Sequence, residues 1–251
     1  MAPIFWRVSI IFLPMLCHSL SGQTELDFKE KYGIEVSASE EQLLNTTENI
    51  LDKAFTSLTR AREFTIPDEE DQEAELKETG GTTYGYILPS GVFAMLAIYN
   101  KTFPGKLNGA SFYDLGSGAG RGVLAAALLE PRLEICIGVE LSESRDQMAR
   151  EVKSLMPEEI RKRSLFLWGS MLKANTSHGD IIWLSNLIMQ KSFQEIMARK
   201  LEKEIVPGTM VFASKALPLN DSILPYNETR VNLPMSWNTL HVAHAYEFGY
   251  R

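Results

Sequence analysis

A glycine-rich turn near the middle of the chain holds the residues whose types and spacing point most directly to chemistry. In FYDLGSGAGRGVLAAALLEP (112–131), a short apolar run reaches Asp114 and is followed by Gly116, Gly118 and Gly120. Glycines let the backbone turn sharply and approach a ligand where any side chain would collide. The alanine and leucine run after the turn is typical of a helix, whose first amides can donate to a carboxylate or phosphate. Many kinds of loop share a G-x-G-x-G pattern, so the turn alone is weak support for a ligand site.

An acidic residue farther along strengthens this interpretation. Glu140 ends the next apolar run, CIGVE, about twenty residues after the turn. An acid at that place can accept hydrogen bonds from both ribose hydroxyls of an adenosine. The pattern therefore predicts a nucleoside-cofactor site, with a purely structural turn and a solvated Glu140 as the alternative. Dinucleotide enzymes usually show G-x-G-x-x-G without an acid at the position of Asp114, and an acid there can instead hold the amino-acid end of S-adenosylmethionine.

The elements around the turn predict how these residues are positioned. From Thr82 onward, strand-like and helix-like segments alternate, which predicts an α/β fold with a mostly parallel sheet covered by helices on both faces, a Rossmann-like architecture. In such a sheet the ligand binds beyond the carboxyl ends of the strands. The predicted strands are 111–115, 134–140, 164–168, 180–185, 209–214 and 241–248, and the predicted helices between them include 120–130, 142–156 and 190–205.

The residues before Thr82 predict a helical extension. A capping-box pattern from Ser39 to Gln42 opens a segment with apolar residues on one helical face, namely Leu44, Leu51, Phe55 and Leu58. The acidic segment 67–81 predicts a solvated linker or mobile loop. The predicted organisation is a signal peptide at 1–21, a helical extension with an acidic linker at 22–81, and a cofactor-binding domain at 82–251.

The first residues are typical of a secretory signal peptide. One arginine precedes an apolar run at 8–17 that is too short to span a bilayer comfortably, and small residues follow at Ser19 and Ser21. A buried N-terminal helix or a start codon placed too early are the alternatives. Five of the ten asparagines lie in N-x-[ST] sequons, which fits a secretory route. The pattern predicts the secretory pathway or an organelle.

Composition excludes some functions. A formal net charge of -7 and a sequence pI near 5.3 argue against strong nucleic-acid binding, which needs clustered Lys and Arg. His241 and His244 stand three apart in a strand-like run and so face opposite sides of it, and no metal site is predicted. Cys136 lies in an apolar run and is predicted to be a core residue.

The turn resembles a known motif. The segment D-L-G-S-G-x-G, from Asp114 to Gly120, resembles motif I of class I methyltransferases, and Glu140 resembles their ribose-binding acid. Three more segments, 82–96, 175–220 and 235–248, resemble in order those of the disruptor-of-telomeric-silencing family, the histone lysine methyltransferases without a SET domain. The resemblance covers about two thirds of the chain. It implies S-adenosyl-L-methionine as cofactor and methyl transfer to a protein lysine, histone being a possible substrate.

The resemblance also implies roles for individual residues. Tyr84 falls on the tyrosine that covers the cofactor, and Ser185 and Asn186 fall on a pair of asparagines beside the transferable methyl, so these three are the implied catalytic residues. The implied cofactor-binding residues are Tyr84, Asp114, Gly116, Ser117, Gly118, Gly120, Arg121, Glu140, Ser170 and Met171. Met171 is expected to pack on the adenine ring.

Several positions depart from the family. Tyr86 replaces a glutamate, Ser170 replaces the acid expected to hold the adenine amino group, and Ser185 replaces the first asparagine of the pair. Three features argue against a nucleosome substrate: the acidic charge, the lack of a basic arm and the signal-like start. The family implies a nuclear location, whereas the signal-like start favours another one. The alternatives are a methyltransferase of another protein or small molecule in the secretory pathway or an organelle, and a non-catalytic adenosine-binding module.

Overall fold

The computed structural model describes residues 36–57, 69–80, 85–223 and 225–249. The predicted signal peptide at 1–21, Leu58 and Tyr84 lie outside these ranges. Seven helices occur in the described residues: α1 (Ala38–Ser57), α2 (Glu69–Glu78), α3 (Pro89–Thr102), α4 (Arg121–Leu129), α5 (Glu143–Ser154), α6 (Glu158–Arg163) and α7 (Lys191–Glu204). The strands are β1 (Ser111–Leu115), β2 (Ile135–Glu140), β3 (Ser164–Trp168), β4 (Ile181–Leu184), β5 (Thr209–Ala213), β6 (Asn227–Met235) and β7 (Asn238–Phe248).

The strands form one seven-stranded sheet in the order β3-β2-β1-β4-β5-β7-β6. The first five are parallel, and β7 runs antiparallel to both β5 and β6. Every residue of β1, β4 and β5 is buried, as expected for central strands covered on both faces. One buried cluster packs α1, α3, α4 and α5 against one face of the sheet, and a second packs α7 against the other. The predicted Rossmann-like fold is confirmed.

A hairpin completes the sheet and was only half predicted. β7 was expected at 241–248 and begins three residues earlier, whereas β6 was not predicted as a strand. The first four residues of β6 are exposed and its eighth is Pro234, so it lacks the apolar signal of a buried strand. The hairpin also pairs with the segment before α3: Ser236 N donates to Tyr86 O over 2.9 Å, and Tyr86 N donates to Ser236 Oγ over 3.1 Å.

Helix α1 forms where it was predicted, but it begins earlier. Ser37 Oγ accepts from Glu40 N over 3.4 Å, and the Glu40 carboxylate accepts from Ser37 N over 2.8 Å, which is the reciprocal arrangement of a capping box. The box therefore runs from Ser37 to Glu40, and the prediction from Ser39 to Gln42 was wrong by two residues. Leu44, Leu51 and Phe55 are buried as expected.

The acidic segment contains helix α2, and the prediction of a solvated linker was wrong. Its buried face consists of Asp71, Glu75 and Thr79, spaced four residues apart. Asp71 accepts hydrogen bonds from Glu143 N over 2.9 Å and from Ser144 N over 3.2 Å, so it caps the start of α5. Polar contacts hold α2 against the domain, and apolar periodicity could not have revealed them. Among the described residues, no helix is long and apolar enough to cross a membrane.

Candidate cofactor site

A cavity of about 250 Å³ opens beyond the carboxyl ends of β1, β2 and β4. This is the place where the ligand of a parallel α/β sheet is expected, beside the point at which strand order reverses. Its wall is shared by the glycine turn, α2, the segment after β4 and the hairpin tip. The lining residues are Glu75, Thr79, Gly85, Gly116, Gly118, Glu140, Leu141, Arg145, Met171, Ser185, Leu187, Ile188, Met189 and Trp237.

The glycine turn forms one wall of the cavity. Gly116 and Gly118 have φ angles of 86° and 53°, a left-handed conformation that other residues rarely adopt. Gly116 N and Ser117 N donate to Val139 O over 2.9 and 3.1 Å, which fixes the turn against β2. A Cβ atom at Gly116 would lie 3.4 Å from Met171 Cε, inside the space that a ligand would use. The turn therefore keeps backbone, rather than side chains, against the cavity.

Glu140 lies at the centre of the site. Its Oε2 accepts from Gly118 N over 2.7 Å, its Oε1 accepts from Ser142 N over 2.9 Å, and Arg145 Nη1 lies 3.9 Å from Oε1. Burial raises the pKa of the Glu140 carboxyl, and the Arg145 guanidinium opposes that rise. A carboxylate has about four acceptor positions, and two backbone amides leave some of them for a ligand's hydroxyl groups. Glu140 thus fits the ribose of an adenosine.

Two buried charged residues beside Glu140 were not predicted. Glu75, on α2, accepts from Arg145 Nη1 over 2.5 Å, and both residues line the cavity. Burial and the nearby Glu140 charge raise the pKa of Glu75 to about 7, although Arg145 acts in the opposite direction. The spacing of Asp71, Glu75 and Thr79 along one helical face was the available sequence signal. The acidic, polar composition of the segment instead favoured a linker.

The surroundings of Asp114 indicate whether the site fits a cationic cofactor. Its carboxyl is 3% exposed at the end of β1, two residues before Gly116, and Oδ1 has no hydrogen-bond partner among the described residues. Burial and the Glu140 charge raise the pKa of Asp114 to about 8. A buried acceptor without a partner is costly unless something satisfies it. An ammonium group on a bound ligand would both pair with Oδ1 and favour its ionised form.

The opposite side of the cavity is mainly apolar. Leu187, Ile188 and Trp237 line it and remain 40%, 39% and 41% exposed. The Trp237 ring lies against Gly85 so closely that a Cβ atom there would approach the ring to 2.3 Å. Ser185 lines the cavity between this apolar side and the glycine turn, where its hydroxyl is available to a polar group of a substrate.

Two residues predicted at the site serve the framework instead. Asn186 is fully buried: its Nδ2 donates to Lys215 O over 2.9 Å, and its Oδ1 accepts from Lys215 N over 2.9 Å. Arg121 pairs with Asp52 over 3.1 Å, and its guanidinium lies 4.1 Å from the Phe55 ring centroid. Neither side chain lines the cavity, because Asn186 ties β4 to the segment after β5 and Arg121 fastens α1 to α4.

Three further predicted residues lie behind the cavity wall. Ser117 packs its side chain against Gly138, and Gly120 has φ 86° at the start of α4, close to Phe166. Ser170 Oγ donates to Glu78 Oε1 over 2.5 Å, so its hydroxyl faces α2 rather than the cavity. The structure therefore brings together Gly116, Gly118, Glu140, Met171 and Ser185 of the predicted set at the cavity wall. Asp114 is buried behind that wall, two residues before Gly116, and does not itself line the cavity, and Tyr84 lies outside the described residues.

Among the described residues, two histidines of β7 and Cys136 have structural surroundings. His241 Nε2 lies 3.1 Å from Ser214 O, and His244 Nδ1 lies 2.7 Å from Glu228 Oε1, on opposite sides of β7. Within the described ranges no group of His, Cys, Asp and Glu could hold a metal ion. Cys136 is a core residue as predicted, and burial raises the pKa of its thiol to about 12.

Comparison with known proteins identifies one family. The chain matches the family model described as histone methylation protein DOT1 over residues 63–218. An RNA methyltransferase from Salinibacter ruber, in complex with S-adenosyl-L-homocysteine, is similar at 19% identity over 64% of this chain and 91% of that chain, with a TM-score of 0.45. The glycopeptide N-methyltransferase MtfA, complexed with (S)-adenosyl-L-methionine, is similar at 17% identity over 56% of this chain and 61% of its own, with a TM-score of 0.40. The methyltransferase domain of bacterial CtHen1 is similar at 13% identity over 62% of this chain and 99% of that chain, with a TM-score of 0.46. No curated protein matches the chain at a significant level.

The family match covers more than half of the chain, from before α2 to beyond β5, and includes the glycine turn, Glu140 and Ser185. The sequence-based prediction of the family is confirmed, and so is S-adenosyl-L-methionine, the cofactor of that family. The chain belongs to the DOT1 family of histone methylation proteins and is an S-adenosylmethionine-dependent methyltransferase.

Proposed function

We propose that this methyltransferase acts on the side-chain amine of a protein lysine. The observation that carries the proposal is the apolar side of the cavity, formed by Leu187, Ile188 and Trp237 next to the polar Ser185. The four methylene groups of a lysine can pack on such a wall while the amine reaches Ser185. An apolar channel also disfavours the charged ammonium and so lowers the pKa of the lysine amine. A larger fraction of the amine is then neutral, which is the form that acts as a nucleophile.

The residues around the glycine turn have proposed roles in holding the cofactor. Glu140 accepts hydrogen bonds from the ribose hydroxyls, and Asp114 pairs with the ammonium of the amino-acid end. Gly116 and Gly118 let the backbone approach the cofactor closely. Met171, which is 6% exposed and lines the cavity, packs on the adenine. Tyr84, outside the described residues, covers the cofactor in this proposal.

The chemistry asks for positioning rather than for a strong base. When bound, the cofactor supplies an electrophilic methyl group on a sulfonium. Ser185 orients the incoming amine through its hydroxyl, and the apolar wall excludes water from the approach. Asn186 acts indirectly, because its amide bonds to Lys215 hold the segment that carries Ser185. The departures of Ser170 and Tyr86 from the family pattern act through the framework: Ser170 binds Glu78, and the Tyr86 ring lies 4.7 Å from the Arg121 guanidinium carbon.

The charge of the chain favours a substrate other than intact nucleosomes. Nucleosome binding needs cationic surface for DNA phosphates, and this chain carries a formal charge of -7. A negatively charged enzyme can still attract a basic peptide. We therefore propose a free lysine-rich protein, such as a histone without DNA, as the preferred substrate class. A protein of the secretory pathway is the second candidate, favoured by the sequons described below.

A methyl-transfer assay tests the proposal. The full chain is incubated with methyl-labelled S-adenosylmethionine and, separately, with free histones, nucleosomes and a secretory-pathway protein extract, and modified residues are identified by mass spectrometry. Methyl-lysine on free histones, exceeding that on nucleosomes, is expected. Glu140→Gln should abolish it, whereas Glu134→Gln, an exposed glutamate just before β2, should retain it. Methyl groups found only on residues other than lysine would overturn the lysine assignment while leaving the methyltransferase class intact.

A further inference from the structure

We propose that the chain is N-glycosylated at Asn45, Asn100, Asn175, Asn220 and Asn227, and that at least the last four glycans lie at the end of the molecule opposite the cofactor cavity. This inference concerns where the protein resides and how its surface is modified. The sequon observations do not depend on the proposed substrate, and the failure of this inference leaves the lysine assignment intact.

The frequency of sequons is the first observation. Serine and threonine make up 34 of the 251 residues, so a random arrangement places one of them two positions after about one asparagine in seven. Five of the ten asparagines have one, and none of these five has proline between. All five sequon asparagines are exposed in the structure. Their side-chain amides therefore have room for the bulky sugar that such sites receive.

The placement of the sequons is the second observation. We call the edge of the sheet where β1, β4 and β5 begin the basal edge; the cavity lies at the opposite edge, where β1, β2 and β4 end. Asn100 follows Tyr99, whose hydroxyl donates to Gly208 O over 3.3 Å directly before β5 begins. Asn175 precedes Thr176, whose N and Oγ1 donate to the carboxylate of Glu204 at the end of α7. Both asparagines therefore lie at the basal edge.

The two sequons near the hairpin occupy the same end. Asn220 N donates to Glu202 Oε1 over 2.6 Å, in the last turn of α7 before β5. Asn227 is the first residue of β6 and pairs with Glu247, whose other partner, Met210, is the second residue of β5. Four sequons from four separate parts of the chain thus converge on the basal edge.

The fifth sequon is also removed from the cavity. Asn45 lies about 10 Å along α1 from Asp52, the residue that pairs with Arg121 at the start of α4. By contrast, the asparagines at the cavity edge lack sequons: Asn186 follows β4, and Asn238 begins β7 at the hairpin tip. This segregation is what a glycosylated enzyme needs, because a sugar at the cavity edge would obstruct a protein substrate.

The modification requires passage through the secretory pathway. In that compartment an oligosaccharide is transferred from a lipid diphosphate donor: a bond forms from the sugar C1 to asparagine Nδ2, the bond from C1 to the diphosphate oxygen breaks, and the lipid diphosphate leaves with the amide proton. The signal-like residues 1–21, which lie outside the described residues, supply the proposed route. The acceptor reaction uses the unfolded chain, so the burial of Thr47 in the folded α1 is no obstacle.

The experiment is expression of the full chain in eukaryotic cells, followed by peptide N-glycosidase F treatment in ¹⁸O water. Increased mobility and ¹⁸O-labelled aspartate at the five sequon positions are expected, with exposed Asn49 and Asn232 unlabelled. The matched variants are Thr229→Ala, which should lose one glycan, and Thr229→Ser, which should keep it. Thr229 is exposed on β6, so neither change should prevent folding.

The outcome separates the two parts of the proposal. A chain insensitive to the glycosidase, or one recovered from the cytosol with Met1 intact, would overturn it. The affinity for S-adenosylhomocysteine should differ less than twofold between the glycosylated and the enzyme-treated chain. A larger difference would show that the sugars reach the cavity and would overturn their placement.

Discussion

Replacing Asp114 with asparagine should stabilise the fold while abolishing cofactor binding. The pKa of Asp114 is about 8 in the folded chain against 3.8 for the ordinary side chain, because the carboxyl is buried near Glu140. The folded state therefore keeps a proton that the unfolded state gives up. The stability contributed by that proton is complete below pH 3.8 and is lost progressively as the pH rises to about 8.

The magnitude follows from the separation of these pKa values. At pH 7 the carboxyl is ionised in the unfolded state and protonated in the folded state, and the pH lies about three units above the pKa of the unfolded state. Ionisation therefore stabilises the unfolded state by at most about 4 kcal/mol. Asparagine has a similar shape and no charge, so Asp114→Asn removes this penalty. Burying its amide without an acceptor costs about 1–3 kcal/mol in return. A net gain on the order of 2 kcal/mol should raise the Tm by roughly 4–8 °C for a chain of this size.

Thermal melts at pH 5 and pH 8 measure the effect. The gain in Tm for Asp114→Asn should be larger at pH 8, and S-adenosylhomocysteine should raise the Tm of the wild type but not of the variant. Glu134→Gln, a change at an exposed acid just before β2, is the control and should alter the Tm little at either pH. A variant that is less stable than the wild type at pH 8, or that keeps its response to the ligand, would refute the reasoning.

Three other changes test the walls of the site. Arg121→Ala should lower the free energy of unfolding by about 2 kcal/mol, because it removes stacking and an ion pair, but calorimetry should show unchanged cofactor affinity. Gly85→Ala should displace the Trp237 ring, which tryptophan fluorescence would detect, and slow methylation of a protein substrate. Glu75→Gln should reduce the fall in Tm between pH 5 and pH 8, because the raised pKa of Glu75 contributes stability at low pH that is lost progressively as the pH rises from 4.5 to about 7. An unchanged pH response would contradict the assigned burial of Glu75.

The sheet was predictable because its central strands carry a strong local signal. The observed bounds of β1 and β3 match the prediction, those of β2 and β5 differ by one residue at one end, and those of β4 differ by one residue at each end. These strands are buried runs bounded by turn residues, which one-dimensional patterns describe well. The strand β6 and helix α2 were missed because polar residues dominate their sequences and long-range contacts determine their structure.

The site was predictable only where the backbone itself makes the contact. Gly116, Gly118 and Glu140 were found because a sharp turn and a strand end restrict residue type locally. Arg121 and Asn186 were assigned by position in a motif, and their side chains have other partners across the fold. Such contacts join residues that are as far apart in sequence as Asp52 and Arg121, and a local sequence pattern does not predict them.

The closeness of Trp237 to Gly85 has a consequence for the protein during its synthesis. The cavity needs both α2 and the tip of the β6–β7 hairpin, so a nascent chain that has not reached Trp237 lacks part of its wall. A ligand that uses the whole cavity therefore stabilises only a chain that includes the hairpin, since binding adds stability only to the state that has the site. A proteolytic fragment beginning at Thr82 would lack Glu75 and Thr79, and one ending before the hairpin would lack Trp237. Binding of a ligand that uses the whole cavity thus reports that the chain from α2 to the hairpin has been made and folded.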